Sequence, residues 1–209
     1  MVQTIQAQNI SLYDLKAKFD LHLAEDDQFF PEWMDDLPQL TNLEKQSLDR
    51  VKSNYLNLTQ RRPMLESLVQ MVVLSPLLDL AGFYQPPFEI EAETPVQISA
   101  EDEEGEIVQG RIDVLVLPNQ LWILVVESNR TSFSSELAIP QALAYMLANP
   151  DSEKPTFGLV TNGFNFIFIK LIKQGTPQYA LSNQFSIVNR GNDLYGVLIV
   201  LKRLGQLLS

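Results

Sequence analysis

The sequence predicts a mixed α/β (α+β) protein, in which a mixed sheet of about five strands is flanked by helices. Before Phe83, apolar residues recur at helical spacing, whereas after it they alternate or form short apolar runs, as in strands. Another segment with helical spacing separates the third predicted strand from the fourth, and a last one ends the chain. The predicted order is therefore helices, three strands, a helix, two strands and a helix.

The chain divides into two predicted parts. Residues 1–62 are polar with helical spacing and are predicted to form an N-terminal helical extension to the main domain, residues 63–209. The main domain is expected to open with a helix that begins at Pro63, followed by a short helix that restarts at Ser75 and Pro76 and ends at Gly82. Proline suits the first turn of a helix, and glycine suits its end.

Five strands are predicted over Glu89–Ile98, Ile107–Leu117, Leu121–Glu127, Phe157–Thr161 and Phe164–Ile172. The helix between the third and fourth strands is predicted over about Glu136–Leu147. The residues of the last helix that should face inward are Leu194, Val197, Leu198, Leu201 and Leu204. Asn162 and Gly163 predict a type I′ turn between the last two strands, in which both residues have positive φ.

Composition excludes several classes of function. The 209 residues include no cysteine and a single histidine, His22, so sites built from cysteine or several histidines are ruled out. No apolar run approaches the ~18 residues of a membrane span, so we expect a cytoplasmic protein with no membrane partner. The 15 basic and 26 acidic residues give a net charge of −11. A polyanion must therefore meet a local site or approach with divalent cations.

Two carboxylates at the apolar strands carry the chemical prediction. Asp113 lies within the second strand, and Glu127 ends the third. If residues 119–121 connect the strands, Asp113 lies opposite Glu127 with Cβ atoms ~5 Å apart. Carboxylates this close repel unless a cation lies between them, and Mg²⁺ commonly binds one or two carboxylates. Alternatively, both acids lie at the ends of apolar strands with their carboxylates in water. If the connection has two residues, Asp113 and Glu127 lie on opposite faces of the sheet and the argument fails.

The residues around these acids resemble a known nuclease core. Gly110, Ile112 and Asp113, followed by Glu127 and residues 128–130, resemble the PD-(D/E)xK superfamily, in which an Asp opens the second core strand and Glu-x-Lys closes the third. The pattern is most similar to the nuclease domain at the front of type I restriction enzyme R subunits. The resemblance implies a restriction-endonuclease-like fold.

Two flanking segments add to the resemblance. Gln141 and Tyr145 resemble the Gln-x-x-x-Tyr motif on the helix after the third strand in type I and RecB-like nucleases. Residues 158–163 resemble the fourth-strand turn of the same domains. The resemblance covers roughly residues 60–175.

The resemblance implies an endonuclease, a hydrolase acting on phosphodiester bonds, with DNA as partner and Mg²⁺ or Mn²⁺ as cofactor. The implied metal-site residues are Asp113, Glu127, Ser128 through its carbonyl oxygen, and Glu66, which supports the metal-bound water. The implied catalytic residues are Asp113, Glu127, Asn129, Gln141 and Tyr145. Of these, Gln141 and Tyr145 would position the phosphate.

Asn129 departs from the motif, which has lysine at this position. An amide can form hydrogen bonds but supplies no positive charge, so hydrolysis is expected to be slowed or lost. The alternative function is a catalytically inactive nuclease-fold module that binds nucleic acid or a partner protein. A second alternative is an interaction scaffold, with the N-terminal helices joining a homodimer or a partner subunit.

Overall fold

The computed structural model describes residues 4–61, 63–99, 107–117, 121–125 and 135–208. The helices are α1 Leu12–Phe19, α2 Asn42–Thr59, α3 Glu66–Val69, α4 Ser75–Ala81, α5 Ser135–Leu147 and α6 Leu194–Leu208. A π-helical turn, Gln70–Leu74, joins α3 to α4 without a break. The strands are β1 Thr4–Gln6, β2 His22–Leu23, β3 Glu89–Ser99, β4 Ile107–Leu117, β5 Leu121–Val125, β6 Thr156–Thr161, β7 Asn165–Ile172, β8 Gln178–Leu181 and β9 Phe185–Ser186.

All nine strands belong to one mixed sheet. Its order is β1-β4-β5-β6-β7-β8-β2, with β3 also paired to β4 and β9 to β7. The β1–β4, β5–β6 and β2–β8 pairs are parallel, and the others are antiparallel. The predicted mixed sheet flanked by helices is confirmed, but the number of strands is wrong. The four unpredicted strands have two to four residues, too few to show alternation.

Two of the unpredicted strands, β1 and β2, lie in the segment predicted to be helical. Each pairs in parallel with a strand from far along the chain, and such pairing leaves little trace in the local sequence. The boundary between residues 62 and 63 stays a prediction. Residues on both sides of it contribute to the same two hydrophobic clusters.

The sheet separates these two hydrophobic clusters. The first packs α2, the α3–α4 segment and α6 against one side, and the second packs α1 and α5 against the other. The five residues of α6 predicted to face inward are all fully buried, which confirms that part of the pattern. Within the described ranges, none of the helices combines the length and apolar character needed to cross a membrane.

The hairpin of β4 and β5 has a register different from the predicted one. Val116 pairs with Leu121, so four residues connect the paired positions and not three. The two further pairs, Val114 with Ile123 and Leu115 with Trp122, keep this register. The predicted register, with residues 119–121 as the connection, is therefore wrong, because the loop sequence holds no two-residue turn signal that would have specified its length.

The turn between β6 and β7 also differs from the predicted type I′ turn. Of the two central residues only Gly163 has a positive φ, +78°. The side-chain oxygen of Asn162 instead accepts hydrogen bonds from the amides of Phe164 and Asn165, at 3.0 and 2.8 Å. The predicted hairpin is present, but its loop is closed by the side chain of Asn162, a residue that the prediction required to have a positive φ.

Candidate functional site

The candidate site lies where the partners of β4 change along the strand. On one edge, β4 pairs with β3 along residues 107–117 except at Asp113. On the other edge, β1 pairs with residues 107–109 and β5 with residues 114–116. Residues 110–113 lie between these two pairings, and they include Asp113.

Side-chain alternation in β4 is interrupted at the same place. Val108 and Ile112 pack into the second hydrophobic cluster, beside α5, whereas Val114 and Val116 pack into the first. Residues two apart in a regular strand face the same side, so β4 changes face between Ile112 and Val114. Asp113 is the residue at this step.

Glu93 on β3 accounts for the interruption. The flanking β3–β4 pairs keep a constant register, which puts Glu93 opposite Asp113. Its φ is +51°, in the left-handed region, where a residue other than glycine loses about 1–2 kcal/mol. A left-handed residue within a strand turns the following residues over. Strained residues of this kind cluster at functional sites.

This step also removes the basis for counting residues from Asp113 to Glu127. Such counting requires side chains to alternate without interruption along β4, and they do not. The parity of the positions therefore does not tell whether the two acids share a face. Glu127, Ser128 and Asn129 lie outside the described residues, and the site predicted for them stays a prediction.

The structure brings together three of the predicted site residues, Asp113, Gln141 and Tyr145. Tyr145 of α5 is 3% exposed, and its hydroxyl oxygen accepts hydrogen bonds from Nε2 of Gln141 at 2.9 Å and from the backbone amide of Arg111 at 3.3 Å. Gln141 and Tyr145 are one helical turn apart, which places them on one face of α5. Arg111 lies two residues before Asp113, so these bonds fix α5 against the irregular part of β4.

Gly110 makes this contact possible. A Cβ atom built at position 110 would lie 2.4 Å from the hydroxyl oxygen of Tyr145 and 2.7 Å from its Cε1. The phenol therefore occupies the space that any other side chain would need. Gly110 belongs to the sequence pattern that resembles the nuclease core, but that pattern does not predict this packing. A glycine within an apolar strand is the signal that could have revealed it, since such a glycine often marks a close approach.

The electrostatics of this cluster keep Tyr145 neutral. Burial raises the pKa of the Tyr145 phenol, and the negative charge of Asp113 raises it further. The hydrogen bonds donated by Gln141 and by the Arg111 amide act in the opposite direction. On the exposed side, the Arg111 guanidinium pairs with Glu93 at 3.0 Å. The half-buried Asp113 is thus flanked by a neutral phenol and by an ion pair.

The C-terminal end of α5 is fixed by a lysine from β7's end. The ammonium group of Lys173 donates hydrogen bonds to the carbonyl oxygens of Leu147, at 3.3 Å, and of Asn149. Burial lowers the pKa of Lys173, and the charge of Asp151 opposes this. A cation at the last carbonyl groups of a helix stabilises that end. The helix that carries Gln141 and Tyr145 is therefore held at both its face and its end.

Glu66 is not part of this cluster. It begins α3, in the layer on the other side of the sheet, and its carboxylate accepts a hydrogen bond from Gln70 at 3.1 Å. One turn later, Val69 packs over Gly163, in the loop after β6. Because Thr161 of β6 pairs with Val125, α3 begins near the end of β5 and not near Tyr145.

Within the described ranges, no group of three or more histidine, aspartate or glutamate side chains could hold a metal ion. Asp113 is the acidic residue that the described structure places beside Tyr145. Comparison with models of known protein families finds no match for the chain, and comparison with curated proteins finds none either. The nuclease resemblance consequently remains a prediction.

Proposed function

We propose that this protein is a Mg²⁺-dependent deoxyribonuclease that hydrolyses DNA phosphodiester bonds. The observation that carries the proposal is the meeting of Asp113, on the second strand of a three-strand meander, with Gln141 and Tyr145, on the following helix. The next strand, β6, runs parallel to β5. The same residue types on the same elements are what the resemblance to PD-(D/E)xK nucleases implies.

The chemistry of the donor set suits Mg²⁺. This ion prefers oxygen ligands and commonly takes only one or two carboxylates, with water completing its shell. Asp113 supplies one carboxylate, and Glu127 and the Ser128 carbonyl group would supply the other protein oxygens. When bound, Mg²⁺ or Mn²⁺ would polarise the phosphate and lower the pKa of a bound water.

The chain's own residues then position the substrate. Tyr145 has a raised pKa and stays a neutral phenol, so it adds no negative charge beside a phosphate. Gln141 holds the phenol oxygen, which fixes the ring's orientation. Glu66, near the end of β5, would orient water from the other layer. Asn129 can donate a hydrogen bond but supplies no charge to the transition state, so we expect slow hydrolysis.

A second function is favoured by two observations. The lysine of the motif is replaced by Asn129, and the net charge of −11 disfavours tight binding of a polyanion. Both fit a nuclease-fold module without activity that binds nucleic acid or a partner protein. Even a shared nuclease fold would not decide between the two, because function depends on the site.

The test is nicking of supercoiled plasmid with Mg²⁺ or Mn²⁺. Asp113→Asn should abolish nicking, and Asn129→Lys should raise its rate at least about tenfold, since one stabilising charge contributes of that order or more. Asp27→Asn, at an exposed position outside the site, is the matched control and should leave the rate unchanged.

Two results would overturn the deoxyribonuclease proposal. One is nicking that persists in folded Asp113→Asn protein. The other is the absence of nicking in both the natural chain and Asn129→Lys, with folding checked by circular dichroism. If these proteins still bind DNA in a gel-shift assay, the binding module becomes the better account.

A further inference from the structure

A groove runs between α2 and the segment formed by the π-helical turn and α4. Its volume is about 560 Å³, and its walls include Leu43 and Val51 of α2 and Met71 of the π-helical turn. The helix face from position 43 to 54 is about 17 Å long at 1.5 Å per residue. This groove is separate from the cluster around Tyr145 and lies on the other side of the sheet.

Two strongly exposed apolar side chains line the groove. Leu43 is 73% exposed and Met71 is 69% exposed, and they are two of the three most exposed large hydrophobic side chains among the described residues. Both line this groove. The π-helical turn contributes to this arrangement, because such turns locally change which side chains face outward and are frequent at functional sites. Apolar residues concentrated in one groove indicate a binding surface.

The same groove holds one cation and one anion without partners. Arg50 lies on α2 and Asp79 on α4, and both line the groove. Neither side chain forms a hydrogen bond or an ion pair with any part of the chain that the structure describes. A patch with one charge of each sign is complementary to itself. A purely acidic or basic partner would satisfy only one of the two charges.

We infer that this groove is the interface of a homodimer with two-fold symmetry. In such an interface the same patch is used twice, so a contact from residue i to residue j is repeated from j to i. Arg50 of each copy would pair with Asp79 of the other, and Leu43 and Met71 would be covered. This inference does not depend on nuclease activity.

Sedimentation velocity of the full chain tests the inference at physiological salt, which screens the repulsion between two copies of charge −11. As the concentration of the natural chain is raised to about 0.2 mM, the dimer should become the main sedimenting species. Arg50→Asp and Asp79→Arg should each weaken dimerisation at least about tenfold, since each places like charges in contact twice. Arg190→Asp, at an exposed position outside the groove, is the control.

Mixing the two single variants gives the decisive result. An equimolar mixture of Arg50→Asp and Asp79→Arg should form a heterodimer, because both inter-chain pairs are again opposite in charge. The double variant should also dimerise with itself. A natural chain that stays monomeric, or single variants that dimerise as well as the natural chain, would overturn the inference. Failure of the mixture to associate would do the same.

Discussion

Replacing Gly110 by alanine tests the packing that holds the candidate site. The new Cβ would lie 2.4, 2.7 and 2.9 Å from the hydroxyl oxygen, Cε1 and Cζ of Tyr145. Carbon atoms in contact normally lie about 3.5–4.0 Å apart, so the ring must move by about 1 Å. The ring is buried in the second hydrophobic cluster and cannot swing away as a flexible chain end could.

The size of the effect follows from these contacts. Inserting a methyl group into a packed core costs about 1–3 kcal/mol. A displaced phenol would also lose its hydrogen bonds with Gln141 and the Arg111 amide, each contributing about 1 kcal/mol. A Gly-to-Ala change also restricts the unfolded chain, which raises the free energy of unfolding by about 0.4–1 kcal/mol and offsets part of this loss. We therefore expect Gly110→Ala to lower the free energy of unfolding by about 2–4 kcal/mol.

Urea denaturation followed by circular dichroism measures this loss, with a fall in Tm of about 2–4 °C for each kcal/mol as a second measure. Gly158→Ala is the matched control, since its Cβ would meet Met146 Sδ at 2.7 Å, near the end of a flexible side chain. It should cost clearly less. Adding Tyr145→Phe to Gly110→Ala removes the closest contact and should recover at least about 1 kcal/mol as coupling energy. A neutral or stabilising Gly110→Ala would refute the reasoning.

Two further predictions concern charged groups. Burial raises the pKa of Glu44, but hydrogen bonds from Lys202 and Thr41 together outweigh it, so the pKa is lowered. A lowered pKa in the folded state stabilises the protein above the pKa of the unfolded state, and this stabilisation is lost as the pH falls through the folded-state pKa. Glu44→Gln should therefore lower the free energy of unfolding by about 1 kcal/mol at pH 7 and by much less near pH 3. Urea titrations at the two pH values measure the difference. Lys170 and Glu32 form a pair at 2.5 Å with side chains 9% and 16% exposed. Lys170→Met should lower the free energy of unfolding by about 3–5 kcal/mol, because it leaves the Glu32 carboxylate buried without its cation. Adding Glu32→Gln should recover most of this loss in the same assay. An equal loss in the single and the double variant would contradict the pairing argument.

The elements that sequence predicts well are those whose signal is local. The five inward positions predicted for α6 recur at three and four residues, and all five are buried. β4 is present as predicted, and the apolar run at residues 114–117 is its local signal. By contrast, β1 and β2 are strands only because they pair with β4 and β8, and three or two residues alone carry no such signal.

The candidate site was predicted in part for the same reason. Gln141 and Tyr145 are neighbours on a helix face, and helix periodicity is enough to bring them together. The relation of Asp113 to the next strand depended on loop length, and the observed register differs from the prediction. It also depended on uninterrupted alternation, which the left-handed backbone of Glu93 breaks. Nothing in the sequence marks a glutamate for positive φ, because its side chain gains no local hydrogen bond there as asparagine can.

The interruption in β4 is what gives Asp113 its distinctive environment. In a regular strand, position 113 would alternate with Ile112 and Val114, and each face of the sheet here is covered by a hydrophobic cluster. A carboxylate in either cluster would be costly. The change of face places Asp113 at the junction of the two clusters, and the Tyr145 hydroxyl group holds the adjoining backbone. Rigid elements therefore hold an acid, an amide and a phenol together. Both proposed functions, metal-dependent hydrolysis and binding without activity, would use this arrangement. The chemical difference between them lies at position 129, where neutral Asn129 supplies no charge to a transition state.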